Sequence, residues 1–142
     1  MIEINNLTEG KISSKFLKKI IEFVLKGEKK KGDISLAIVD SSRIKELNKQ
    51  YRKKNKATDV LSFLAKNQLD DKFNAGENYL GEIVICPEYI KEKNKEAGLV
   101  FKKGLTRALI HSVLHLLEYD HEKSKSKRSK MEERERFFFK RI

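Results

Sequence analysis

The chain has 142 residues, 39% of them hydrophobic and 37% charged, and its 32 basic and 21 acidic side chains leave a net charge of +11. That length suffices for one domain with a proper core, and the composition excludes a disordered chain. A lone cysteine, Cys86, excludes an intramolecular disulfide and fits a reducing compartment, and no apolar run approaches the roughly 20 residues that span a bilayer.

The chain reads in order as alternating strands and helices, then helices alone. Residues 1–6 alternate apolar and polar and predict a short strand. Over 12–27, Ile12, Phe16, Leu17, Ile20, Val24 and Leu25 share one helical stripe, with Gly27 as its stop. DISLAIVD, 33–40, is a strand, and Ser41 or Ser42 caps a helix carrying Ile44, Leu47 and Tyr51. TDVLSFLA, 58–65, is a third strand, and the polar run 66–78 is a mobile loop. YLGEIVIC, 79–86, is a fourth strand. Pro87 at the first helical position and Gly98 beyond the last predict a helix over 87–97. From about Thr106 to Leu117 a helix is apolar on most sides, as a buried helix is. The tail begins as a basic loop and ends as a helix. This order predicts a single α/β or α+β domain with helices packed on about four strands.

The charge surplus attracts polyanions, with RNA and DNA the first candidates; the bland alternative is a solubility surplus in a lysine-rich proteome. A membrane surface fits less well, because it asks for an apolar helix face with aromatic anchors beside the basic one. Residues 1–30 show no basic segment followed by an unbroken apolar one, so a cytoplasmic protein without membrane partners is expected.

All three histidines fall in HSVLHLLEYDH, residues 111–121. On a helix His111 and His115 lie one turn apart on the same face. They can aim two imidazoles at one metal, which zinc takes at about 2.0–2.1 Å. If the chain turns back after Leu117, His121 supplies a third ligand from another direction. Three protein ligands leave a position open to water, the arrangement of a catalytic zinc. Asp120 can orient a ligand from outside the coordination sphere. The same spacing occurs in metzincin proteases, but their general base follows the first histidine, and here that position is Ser112. A peptidase is therefore disfavoured.

The stretch more closely resembles the HGxLHLxGYDH signature of the YbeY family, the bacterial endoribonucleases of ribosomal RNA maturation. His111, Leu114, His115, Leu116, Tyr119, Asp120 and His121 match it. LNKQYRKKNKATDVLSF, 47–63, and LGEIVIC, 80–86, look like two further blocks of that family. The resemblance implies a metzincin-like α+β fold over 1–142, with a mixed sheet and the metal site on the penultimate long helix. It implies one zinc per chain, held at His111, His115 and His121. It also implies single-strand-directed RNA cleavage in small-subunit ribosomal RNA maturation and ribosome quality control, with a ribosomal protein or an assembly GTPase as a partner on the ribosome. Two family glycines are replaced, by Ser112 and Glu118. Ser112 is small. Glu118 must either accept a left-handed conformation, at roughly 1 kcal/mol or more, or end the helix differently.

Arg52 matches the family's functionally important arginine, which makes it the expected contact to the phosphate or transition state. Lys53, Lys54 and Lys56 form a basic turn beside it, and KSKSKRSK, 123–130, a further basic strip. Asp59 is read as structural, Cys86 as a buried small hydrophobe, and at least two of Phe137, Phe138 and Phe139 as core. The expected reaction is phosphodiester hydrolysis, with either water or a 2′-hydroxyl as nucleophile. The rival from another class is a non-catalytic RNA- or ribosome-binding assembly factor whose zinc only ties the helix end to the next loop.

Overall fold

The computed structural model describes residues 1–67, 78–98, 100–119 and 125–142. Four strands, β1 (Ile2–Asn6), β2 (Asp33–Ile38), β3 (Val60–Leu64) and β4 (Tyr79–Ile85), form one mixed sheet in the order β1-β2-β4-β3. The first three neighbours run parallel, and β3 pairs antiparallel with β4. Among the described residues five helices accompany it: α1 (Ser14–Gly27), α2 (Ser41–Arg52), α3 (Pro87–Glu96), α4 (Phe101–Leu116) and α5 (Lys125–Arg141). This is an α+β fold. No helix among the described residues is long and apolar enough to cross a membrane.

Side-chain alternation along β4 divides the core. Ile83 and Ile85 join the larger cluster with α1, α4 and α5, whereas Val84 and Cys86 pack with Val39, Ile44 and Leu61 beneath α2. The helix caps follow from the residue types. Ser13 Oγ accepts the Phe16 N–H at the start of α1, Asp40 Oδ1 accepts the Arg43 N–H at the start of α2, and Pro87 opens α3.

Helix α4 is the element the others are packed around: nine of its sixteen residues are buried, more than one face can supply. It begins at Phe101, five residues before the expected Thr106. Gly104 lies inside the helix where α3 crosses it. A Cβ there would come within 1.9 Å of Asn94 Nδ2, so the close approach of the two helices requires glycine.

Two loop expectations change. Of the loop expected over 66–78, residues 68–77 lie outside the described residues, and Ala65–Asn67 form a 3-10 turn. The basic strip expected as a loop is helical from Lys125 onward. Arg128 and Glu132 pair one turn apart at 3.2 Å, and Met131 and Phe138, both fully buried, anchor the helix to the core. Phe137 and Phe139 pack beside Phe138 at partial burial, in keeping with a core role for this run.

Candidate active site

Lys103, Arg107, His111 and His115 follow one another at four-residue spacing along α4, so they form a single stripe on its surface. That stripe floors a cleft of about 650 Å³. Tyr89, Lys93 and Asn94 of α3 form one wall, Arg52 with Thr58, Asp59 and Ser62 another, and Glu135 and Phe139 of α5 a third. Four permanent cations, Arg52, Lys93, Lys103 and Arg107, face two carboxylates, Asp59 and Glu135, so the lining favours an anion.

His111 is held by α5: its Nδ1 lies 3.1 Å from Glu135 Oε1. A carboxylate on Nδ1 favours the tautomer in which Nε2 carries the lone pair, as a metal-ligating imidazole requires. Two imidazoles one turn apart beside a common cleft are a donor set that suits zinc. His121, the expected third ligand, and Asp120 lie outside the described residues. Among the described residues no group of three His, Cys, Asp or Glu side chains gathers around one point.

Arg52 is the last residue of α2 and reaches the cleft exposed, with no hydrogen bond or ion pair among the described residues. Lys53, Lys54 and Lys56 follow it on the exposed link to β3 and do not line the cleft. Lys53 caps α2 in the left-handed conformation, φ 58°. The buried Asn48 amide donates to Lys56 O at 2.9 Å, which ties the link to α2 and sets where Arg52 emerges. Asp59 Oδ1 accepts the Val60 N–H at 2.8 Å and the Thr58 hydroxyl at 3.2 Å, a structural role in starting β3. The cations on α3 and α4 and the carboxylate Glu135 were not anticipated. The four-residue spacing of Lys103 and Arg107 ahead of His111 is the signal that reveals the first two.

Helix α4 ends in a two-bond turn: the Glu118 N–H donates to His115 O at 2.9 Å and the Tyr119 N–H to Leu114 O at 3.1 Å. This motif needs a left-handed residue, and Glu118 takes it at φ 73°. Glu118 therefore accepts the conformation its family's glycine would adopt. Its side chain is exposed, forms an ion pair with Lys66, and lines a different depression from the histidines. Ser112 is fully buried and returns its hydroxyl to Ala108 O at 2.8 Å, within its own helix.

The turn beyond α4 is clamped from two sides. Tyr119 donates its hydroxyl to Glu28 Oε1 at 2.5 Å, and Arg134 of α5 grips Glu28 Oε2 through Nε at 3.0 Å and Nη2 at 2.6 Å. Burial and the adjoining Glu28 carboxylate push the Tyr119 hydroxyl up to about 12. The end of α1, the end of α4 and α5 thus meet at one half-buried ion pair. Cys86 is fully buried, with its thiol pushed up by burial, and stands away from the cleft lining.

A family model described as endoribonuclease YbeY matches residues 3–142. A protein named endoribonuclease YbeY from Bdellovibrio bacteriovorus is 42% identical over 108 residues, 76% of this chain and 66% of that one. Its namesake from Persephonella marina is 41% identical over 120 residues, 83% of this chain and 76% of that one. One from Clostridium botulinum is 39% identical over 137 residues, covering 84% and 80%. Among solved structures, a solution structure from Thermotoga maritima superposes with a TM-score of 0.66 at 30% identity, covering 98% of this chain and 87% of that one. With a family model over nearly its whole length and relatives near 40% identity, this chain belongs to the YbeY endoribonuclease family.

Proposed function

We propose that this chain is a cytoplasmic, single-domain, zinc-dependent endoribonuclease of single-stranded RNA. It acts in small-subunit ribosomal RNA maturation and ribosome quality control, brought to its substrate by a ribosomal protein or an assembly GTPase. Beyond family membership, one observation carries the reading: Arg52 from α2 and the His111–His115 pair from α4 line the same cation-rich cleft. His111, His115 and His121 hold one zinc, with Glu135 fixing the ring of His111. Bound there, zinc supplies Lewis acidity toward a phosphate oxygen.

The remaining roles belong to side chains. Arg52 binds the scissile phosphate through its guanidinium fork and neutralises the charge that builds on the oxygens. Lys93, Lys103 and Arg107 draw the strand into the cleft and align its phosphates, and Lys53, Lys54 and Lys56 hold RNA outside it. Product ends identify the nucleophile: a cyclic phosphate means the sugar's 2′-hydroxyl attacks, and a linear one means water does.

Replacing His115 with alanine tests the reading. The expected variant keeps its circular dichroism spectrum, binds zinc far more weakly, and no longer cleaves. A variant that unfolds on losing zinc favours the metal as a structural tie. A folded variant that still cleaves overturns the proposal.

A further inference from the structure

On the other side of Lys103 and Phe139, a second groove of about 820 Å³ runs between α1, the start of α4 and the end of α5. Lys103 and Phe139 line both depressions, so the groove continues from the candidate active site. Among the described residues five cations, Lys19, Lys102, Lys103, Lys140 and Arg141, line it, and no Asp or Glu does. Its remaining surface is strongly apolar. Among the described residues, three of the six exposed large hydrophobic side chains, Phe23, Val100 and Ile142, gather here, so this is a patch and not scattered exposure. Rings and cations interleave: Lys102 Nζ lies 4.6 Å from the Phe16 ring centre, and the Arg107 guanidinium 4.7 Å from that of Phe139. Phe23 is 39% exposed and is braced edge-on by Phe138 at 6.0 Å, a ring held in place with a face left to solvent.

We infer that this groove is a second RNA site, which stacks the bases and holds the phosphates of the single strand next to the segment in the cleft. Aromatic faces accept any base, and the lining cations accept the backbone, so such a site binds without reading sequence. An acidic protein would find the cations but little use for the rings. An anionic membrane would need a convex apolar face where this surface is concave. The inference rests on the cleft being an RNA site.

The test compares two fluorescent, unstructured RNAs, about 4 and about 14 nucleotides long, one short enough for the cleft alone and one long enough for both sites. Binding is measured at about 0.15 M salt, where distant charges are screened within roughly 8 Å. The Lys19→Glu, Lys102→Glu, Lys140→Glu triple variant is expected to weaken the longer RNA at least tenfold. A control of equal charge, Lys45→Glu, Lys49→Glu, Lys91→Glu, should weaken it less than threefold. Phe23→Ala should weaken the longer RNA about fivefold or more and Phe23→Tyr hardly at all, with thermal unfolding confirming that each is folded; if Phe23→Ala is not, the charge variants decide. Equal losses in the groove and control variants overturn the groove, as does wild-type protein that binds both RNAs alike or prefers anionic vesicles to RNA. Wild-type protein that neither binds nor cleaves either RNA instead refutes the reading of the cleft.

Discussion

His111 and Glu135, 24 positions apart in sequence, meet with Nδ1 3.1 Å from Oε1. Helix α5 thereby orients a ring on α4, and the orientation decides which nitrogen faces the cleft. A carboxylate in this position also fixes the ring for metal binding. Changing Glu135 to Gln keeps the shape and removes the charge. Zinc affinity, measured by competition with a chromogenic chelator, is expected to fall roughly 10- to 100-fold with the fold unchanged. Undiminished affinity would reduce Glu135 to a packing residue.

Arg52 lies in the cleft with no partner of its own among the described residues, so removing it disturbs little else. Arg52→Ala is expected to lower the cleavage rate by roughly 10²-fold or more while zinc content and melting temperature hold. Arg52→Lys keeps the charge and loses the two-pronged grip, so it should recover only part of the loss. Full activity in the lysine variant would show that charge alone suffices.

Glu82 sits on the central strand opposite Phe63, and burial raises its carboxyl above the usual range. The folded state therefore binds that proton more tightly than the unfolded chain. The resulting stability is fully present below the unfolded value and is lost as pH rises through the folded value. Above the unfolded value the desolvated carboxyl is a burden, because burial disfavours its charged form. Glu82→Gln should raise the melting temperature at pH 7, with the advantage shrinking as pH falls through the raised folded value and all but gone below the ordinary carboxyl value of about 4.5. An advantage that persists unchanged in acid would point to a cause other than ionisation.

Glu118 holds a left-handed conformation that costs a residue with a Cβ about 1–2 kcal/mol. Glycine removes that strain but adds about 0.4–1 kcal/mol of unfolded-chain entropy, so the strain wins by a small margin. The exposed ion pair with Lys66 adds little on the other side. Glu118→Gly should melt a few degrees higher, with zinc content and cleavage unchanged. Lost cleavage with zinc retained would give Glu118 a part in the chemistry.

These residues also show how far the site was legible. The histidine pair stood out because spacing of four on an apolar helix is a local, periodic signal. Glu118 stood out only through the resemblance, as a replaced glycine that either accepts a left-handed conformation or ends the helix differently, and the hydrogen bonds of the Leu114–Tyr119 segment are those of the first alternative. Lys103 was lost because the helix was expected to begin only at about Thr106, and the crossing by Asn94 accounts for the glycine at 104 inside it. Glu135 was illegible in principle, since its role depends on α5 folding back onto α4. The basic strip looked like a loop because like charges disfavour an isolated helix, whereas the burial of Met131 and Phe138 overrides that preference.

The most direct test of the whole account is cleavage of single-stranded RNA by metal-stripped protein as zinc is returned in measured amounts. The account predicts no cleavage without metal and a rate that rises in proportion to bound zinc until one equivalent per chain. Cleavage by the stripped protein, or one tightly bound zinc per chain with no cleavage, would contradict it.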